Sequence, residues 1–417
     1  MGATMVLAIG FWLAFFGARL IRTKGIPELV AFLIVGALIG PHGFGLVDRD
    51  LLEGLKPVVA IATAMLMFGI GERLSPRELR VSPFSAPAGM FSALLTAVIV
   101  APLSLLAGAN GAEAMMLAVL ASAGAPMTLT ALSAKVRSPY STGLIGAHAV
   151  SDAVAAIAFS LALPIALMLV RRSSSIGDAV GFFLRLGPGS VALGVVVGLV
   201  VARFSRNSAG VGESMVLVMV HMVVLSAIAA AAGASIPLAA LVSGTVVATR
   251  VHGEKHTFIF KSVQQIEEPL FLAFFTIAGA SLDVGLLPGL GLLGVIYILG
   301  RTAGKILGGF LGGIIAGQKR NDALRLGTDL LPQAGSAVAL VVILTEEIPA
   351  EGAQIAAVVL GAIVIFESIA PIFTARNLKR HAVPSAEVSA VPPSHNQPDA
   401  PSTVTADYPK PQVKGID

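Results

Sequence analysis

The chain is expected to be an all-α polytopic membrane protein of about 13 transmembrane helices, arranged as two inverted six-helix repeats with two Pro-broken crossing helices. Three observations predict this. Of 417 residues, 55% are hydrophobic and only 12% charged, against roughly a quarter charged in an average soluble domain, so a water-soluble globule is excluded. The apolar stretches are continuous, as in Leu286–Tyr297 and Ile355–Phe366, whereas outer-membrane β-strands alternate apolar and polar residues over about ten positions. The chain also repeats itself weakly at a fixed offset. The absence of cysteine removes disulfides, thiol nucleophiles and Cys-based metal sites from consideration. The net charge of +4 says little, because in a membrane protein the placement of Lys and Arg matters more than their sum.

Taken in order, the expected spans are 4–20, 26–44, 55–72, 84–108, 112–134, 142–170, 187–204, 213–233, 235–250, 267–285, 288–316, 323–345 and 352–375. The first is read as a span and not a signal peptide, because its basic residues Arg19, Arg22 and Lys24 follow the apolar run instead of preceding it. Basic residues set the orientation. An outside N-terminus and cytoplasmic C-terminus place Arg73, Arg77, Arg80, Lys135, Arg137, Arg203, Arg206, Arg250, Lys319, Arg325, Arg376 and Lys379 on the cytoplasmic side. Only Arg49, Lys56, Arg171, Arg172 and Arg185 then lie outside. The Arg171/Arg172 pair fits that scheme least well.

Ile26-Pro27, followed by Leu29, Ala31 and Gly36, is echoed by Ile236-Pro237, followed by Leu238, Ala240 and Gly244. Met67 to Glu72 is echoed by Phe275 to Gly279 running into Asp283, and Pro126 by Pro332. Offsets between 206 and 211 recur in all three. The expected organisation is therefore a transmembrane domain over 1–378, with repeat one at about 4–170, a linker helix at about 187–204 and repeat two at about 213–375. Residues 379–417 turn to Pro, Ser, Val and charge and are expected to form a disordered cytoplasmic tail.

Charged groups inside hydrocarbon cost about 2.5–3.5 kcal/mol on insertion scales and are functional candidates by default. Asp152 lies some ten residues into the sixth span, roughly 15 Å deep. Arg301 and Lys305 share one face of the eleventh, a turn apart. Pro126 and Pro332 each interrupt a span, and unsatisfied backbone at that depth is tolerated only where it lines protein or a watery cavity. Beside those breaks Thr128, Thr130, Gln333 and Ser336 offer oxygens suited to a hard monovalent cation at Asp152. A buried Asp152–cation pair that merely ties helices together is the bland alternative. His148, Asp329 and Glu367 are further polar groups that a proton path could use. No catalytic constellation, cofactor motif or nucleic-acid signature stands out, so an enzyme is not expected and no cofactor is assigned.

In its motifs the chain resembles the monovalent cation:proton antiporters, in the branch of Kef-type and related bacterial sodium or potassium/proton exchangers. The features that carry the resemblance are Gly25-Ile26-Pro27 with Gly36 to Pro41, then Met67 to Glu72, Ser151-Asp152, Phe274-Phe275 through Asp283, and Gly304-Lys305 with Leu307-Gly308. They extend over 1–378 in the family's order. The resemblance implies exchange of Na⁺ or K⁺ for H⁺ in a bacterial cytoplasmic membrane, by a lipid-embedded homodimer. It makes Asp152 the carboxylate that binds proton and cation in turn, and Lys305 the facing lysine, with Arg301 the second candidate for that cation. Where family members commonly carry Asp, Asn or Gln before the essential Asp, this chain has Ser151, and a single carboxylate implies one cation per proton. A sodium-coupled organic-anion symporter and a channel-like K⁺ efflux pathway are the rival readings on such a scaffold.

Overall fold

A computed structural model describes residues 3–22, 27–133, 138–171, 176–286 and 291–381. Lys24, Gly25, Ile26, Lys135, Arg137, Arg172 and the expected tail from residue 382 onward lie outside the described residues. Those described form helices and no strand. In chain order these are α1 (Ala3–Arg22), α2 (Glu28–Ile39), α3 (Arg49–Gly54), α4 (Lys56–Arg73), α5 (Pro76–Arg80), α6 (Ser85–Leu106), α7 (Gly111–Ser122), α8 (Pro126–Ser133) and α9 (Pro139–Arg171). Then follow α10 (Ile176–Leu184), α11 (Ser190–Phe204), α12 (Val211–Ala232), α13 (Ile236–Arg250), α14 (Glu254–Ala280), α15 (Gly291–Ile315), α16 (Arg320–Asp329), α17 (Gly335–Glu347) and α18 (Pro349–Arg380).

Local chemistry explains where these helices start and stop. Asn110 accepts from Glu113 N while the Glu113 side chain accepts from Asn110 N, a reciprocal cap that opens α7. Asp48 caps α3 through Leu51 N at 2.8 Å. Gly233 closes α12 at φ 65°, a left-handed turn that leads straight into α13.

Seven segments are long and apolar enough to cross a membrane by length and composition: 85–106, 111–133, 139–170, 180–207, 211–232, 291–315 and 349–380. Shorter apolar helices occupy 5–21, 28–39, 236–250 and 269–280. The fifth and twelfth spans are each two helices, α7 with α8 and α16 with α17, interrupted at proline as expected, because proline and the residues around it stop the first half of each. Two expectations need correction. The tenth begins well before 267, since α14 starts at Glu254. The linker expected at 187–204 starts earlier as well: α10 runs through a π-turn at Arg185–Gly189, which contains Pro188, into α11.

The two halves of the chain cross with a shared geometry. A Cβ on Gly36 would strike Thr276 O, and one on Gly244 would strike Phe68 O. One on Gly279 would meet Leu33 O, and one on Gly71 would meet Leu241 O. Gly36 and Gly244, Phe68 and Thr276, Gly71 and Gly279, and Leu33 and Leu241 are all 208 positions apart. The α2–α14 and α4–α13 crossings are thus one contact made twice, as a pseudo-two-fold axis requires. Gly304 of α15 faces the Thr96 backbone of α6, also 208 positions away, so that crossing lies on the axis itself. Backbones this close leave no space for side chains, and small residues drive helix association where lipid supplies no hydrophobic force.

Gly304→Ala is expected to destabilise the protein by at least about 1–3 kcal/mol, as overpacking does. Gly294→Ala on the same helix, where a Cβ meets nothing within 4 Å, serves as the neutral control. Thermal unfolding of both purified variants in detergent reads the difference, and equal midpoints would contradict the axial crossing.

Candidate functional site

The site is built from two interruptions that meet. α7 ends at Ser122 and α8 starts at Pro126, leaving Ala123, Gly124 and Ala125 unwound. α16 ends at Asp329 and α17 starts at Gly335, leaving 330–334 unwound around Pro332. The breaks touch directly, with Ala334 N donating to Gly124 O at 3.2 Å. Pro126 takes the first position of α8, where its missing N–H costs nothing. Two helix C-termini and two helix N-termini therefore converge in the bundle, and their unpaired carbonyls and amides need partners.

Cations meet the carbonyl ends. Arg301 of α15 donates to Leu331 O at 2.6 Å, Ala123 O at 3.1 Å and Pro332 O at 3.2 Å, so one guanidinium holds both breaks. The Phe366 ring lies 4.4 Å from its Cζ, a favourable cation–π geometry. Lys305, one turn on, donates to Ser122 O at 2.7 Å and reaches Ser151 Oγ at 3.3 Å. Gln333 Nε2 donates to Leu120 O and to the Tyr297 hydroxyl, both at 2.9 Å.

A carboxylate meets the amide ends. Asp152 of α9 is fully buried. Its Oδ1 accepts from Gly124 N at 2.7 Å and from the Ser336 hydroxyl at 2.5 Å, while Oδ2 has no hydrogen-bond partner. One oxygen is thus tied to both breaks and the other remains open. The whole arrangement obeys the helix dipole: negative charge lies at half-helix N-termini and positive charge at half-helix C-termini.

The structure therefore brings together Asp152, Arg301, Lys305, Pro126, Pro332, Gln333 and Ser336. Four expected site residues are used differently. Lys305 makes no direct ion pair with Asp152, because Ser122 O and Ser151 take its ammonium. Ser151 turns towards α6, donating to Gly89 O at 3.0 Å and lying 2.9 Å from Ser92 Oγ. Thr128 donates to Glu367 Oε2 at 2.9 Å. Thr130 bonds back to Pro126 O in its own helix, at 2.9 Å.

His148 joins the two breaks. Its Nδ1 accepts from Ala125 N at 2.8 Å, which assigns the ring proton to Nε2, 2.9 Å from Asp329 O. The Asp329 carboxylate accepts from Tyr140 and Asn377, whereas Arg325 pairs with Asp322. Tyr297, Phe366, Tyr140 and Asn377 are supporting residues that pattern reading overlooked. Tyr297 carries a readable signal, being four residues before Arg301 on the same helix face.

Two interrupted helices, crossed and charge-compensated by side chains of two neighbouring helices, α9 and α15, define a secondary-transporter scaffold. The family model for the sodium/hydrogen exchanger, transmembrane, matches residues 7–380, and the chain belongs to that family of transporters. The fold is similar to that of the sodium proton antiporter MjNhaP1 from Methanocaldococcus jannaschii at pH 8, with 18% identity, a TM-score of 0.66 and coverage of 90% of this chain and 96% of that one. A second MjNhaP1 structure, from an electron-microscopy map, gives a TM-score of 0.68 at the same identity and coverage. No curated protein sequence matches the chain.

Arg301→Lys keeps the charge but loses the planar fork that reaches three carbonyls. It is expected to cost roughly 1.5–3 kcal/mol for each charge-assisted bond lost, read as a lowered thermal midpoint in detergent. A wild-type midpoint would remove Arg301 from the role of clamp.

Proposed function

We propose that this protein exchanges a monovalent cation, Na⁺ or K⁺, for protons by alternating access, with residues 1–378 as the transport domain and Asp152 binding proton and cation in competition. One observation carries the reading. A fully buried carboxylate has one oxygen fixed by both helix breaks and the other free to accept a proton or a hard cation. Family membership supports the same chemistry, as does the likeness in fold to a sodium proton antiporter.

Asp152 takes its two hydrogen bonds from backbone and hydroxyl donors at helix N-termini, and these stabilise its ionised form. A cation arriving at Oδ2 cancels the remaining charge, and so does a proton. The two cannot occupy the carboxylate together without leaving excess positive charge beside Lys305 and Arg301. Only the loaded, compensated forms cross easily between inward- and outward-open states, because moving an uncompensated charge through a low-dielectric barrier is costly. Lys305 compensates Asp152 when no cation is bound. Its ammonium already lies on Ser151, the neighbour of Asp152 in sequence.

The breaks are suited to alternating access, since they divide each crossing element into half-helices that can move with different parts of the bundle. The membrane is taken to be the bacterial cytoplasmic membrane, with the N-terminus outside and the C-terminus in the cytoplasm, and the transporter to work as a homodimer in lipid.

In proteoliposomes with a trapped pH dye, wild-type protein is expected to move protons on addition of Na⁺, K⁺ or Li⁺, and the preferred ion identifies the cargo. Asp152→Asn is expected to abolish the signal while remaining folded, and Lys305→Ala to alter its pH dependence or coupling. Persistent cation-driven proton movement in Asp152→Asn would sink the assignment.

A further inference from the structure

Glu367 of α18 is a fully buried carboxylate that the mechanism above leaves unused. Its Oε2 accepts from Thr128, and its Oε1 has no partner. Asp152 is held in the same way, with one oxygen bonded to the hydroxyl of Ser336 and one open. Thr128 and Ser336 lie 208 positions apart, the spacing that relates the glycine crossings. Each sits in the first turn of a half-helix and hands its hydroxyl to a carboxylate of the opposite half of the chain.

The two acids also share a depth. Tyr140 of α9 stacks on His381, just past the end of α18, at 4.0 Å between ring centroids. Asp152 lies 12 residues along α9 from Tyr140, and Glu367 lies 14 residues back from His381. At 1.5 Å per residue these distances are about 18 and 21 Å from one common end. The charged group that acts on Glu367 is Arg301, but that guanidinium is already held by three carbonyls and a ring, and it forms no ion pair with Glu367. Glu367 is therefore not explained as a fixed counter-ion.

We propose that Glu367, anchored by Thr128, is a second exchangeable carboxylate of the transport cycle, protonated with Asp152 in the proton-loaded form and ionised with it in the cation-loaded form. The proposal rests on the competition assigned to Asp152. α8 links the acids mechanically: the Gly124 amide just before it binds Asp152, and Thr128 in its first turn binds Glu367. With Lys305 and Arg301 charged throughout, two protons leave for each cation that binds. The proton-loaded form then carries one more positive charge than the cation-loaded form, and exchange is electrogenic. This departs from the ratio of one proton per cation that a lone carboxylate implies.

The test uses the full chain in proteoliposomes, with Na⁺ and K⁺ each tried as cargo and the membrane potential imposed independently of the cargo ion. Coupling is read from the potential at which opposing cation and pH gradients give no net flux. Wild-type protein is expected to be voltage-sensitive at two protons per cation, and Glu367→Gln to fall to one and lose its voltage dependence. Thr128→Val, which keeps the acid but removes its anchor, is expected to fall below two and serves if Glu367→Gln does not fold. Electroneutral wild-type exchange, or a ratio of two retained in either folded variant, overturns the proposal. Wild-type protein without any cation-driven proton movement, or an active Asp152→Asn, would instead defeat the competition at Asp152, and this proposal with it.

Discussion

Two helices stop halfway through the bundle, and the backbone groups they strand there are buried, with Ala123, Ala125, Leu330 and Ala334 all enclosed. An unpaired buried amide or carbonyl costs on the order of 1–3 kcal/mol, and several are stranded at once, so the interruptions are stable only if side chains supply the missing partners. That requirement accounts for Arg301, Lys305, Gln333, Asp152 and His148. Arg301, Lys305 and Gln333 cover carbonyls of both breaks. Asp152 and His148 cover the amides of Gly124 and Ala125. The proposed ion site would then be a by-product of satisfying the backbone: once Asp152 has used one oxygen on the breaks, the other is the group left over.

Such a site keeps its geometry only if the helices around it are held, and the glycine crossings do this. Gly36, Gly71, Gly244 and Gly279 bring α2 against α14 and α4 against α13 at backbone contact, where dispersion and polar contacts replace the hydrophobic drive absent in lipid. Gly304 sets α15 against α6 in the same way, one residue before Lys305, and so fixes the height at which that ammonium and Arg301 meet the breaks. The small residues that hold the halves together and the charged residues that serve the site are consecutive on one helix. Packing and chemistry cannot be varied independently there.

Much of this was legible in the sequence because membrane insertion makes polar residues conspicuous. Asp152, Arg301, Lys305 and the two prolines stood out against apolar runs, and the recurring offset of 206 to 211 pointed to paired breaks. What could not be read was direction. Sequence spacing places Thr128 and Ser336 alike beside a break, but not that one turns to Glu367 and the other to Asp152. Ser151 was indistinguishable from a ligand until α6 was seen to offer Gly89 O and Ser92. Asp329 was legible only as a polar group that a proton path could use; its partners, Tyr140 of α9 and Asn377 of α18, lie 189 and 48 positions away in sequence. Two span limits were misplaced because a helix can extend beyond its apolar stretch: α14 begins at Glu254, well before the apolar run that marked the tenth span, and α10 leads into α11 through Arg185–Gly189.

The two cations of α15 look equivalent in sequence, one turn apart on one face, yet their chemistry divides the work. A guanidinium has five donors in a rigid plane, and here that plane is engaged with carbonyls from both interruptions and backed by Phe366. Displacing it would strand three acceptors together. Arg301 therefore belongs to the architecture. An ammonium is a point charge on a flexible stem, and Lys305 rests on one carbonyl and one hydroxyl, so releasing it strands a single backbone acceptor. In the proposed cycle, where Asp152 is discharged and reloaded, the residue with fewer obligations is the one free to follow the change. The spacing of one turn keeps Arg301 close enough to hold the breaks while leaving Lys305 on Ser122 O and Ser151, the neighbour of Asp152 in sequence.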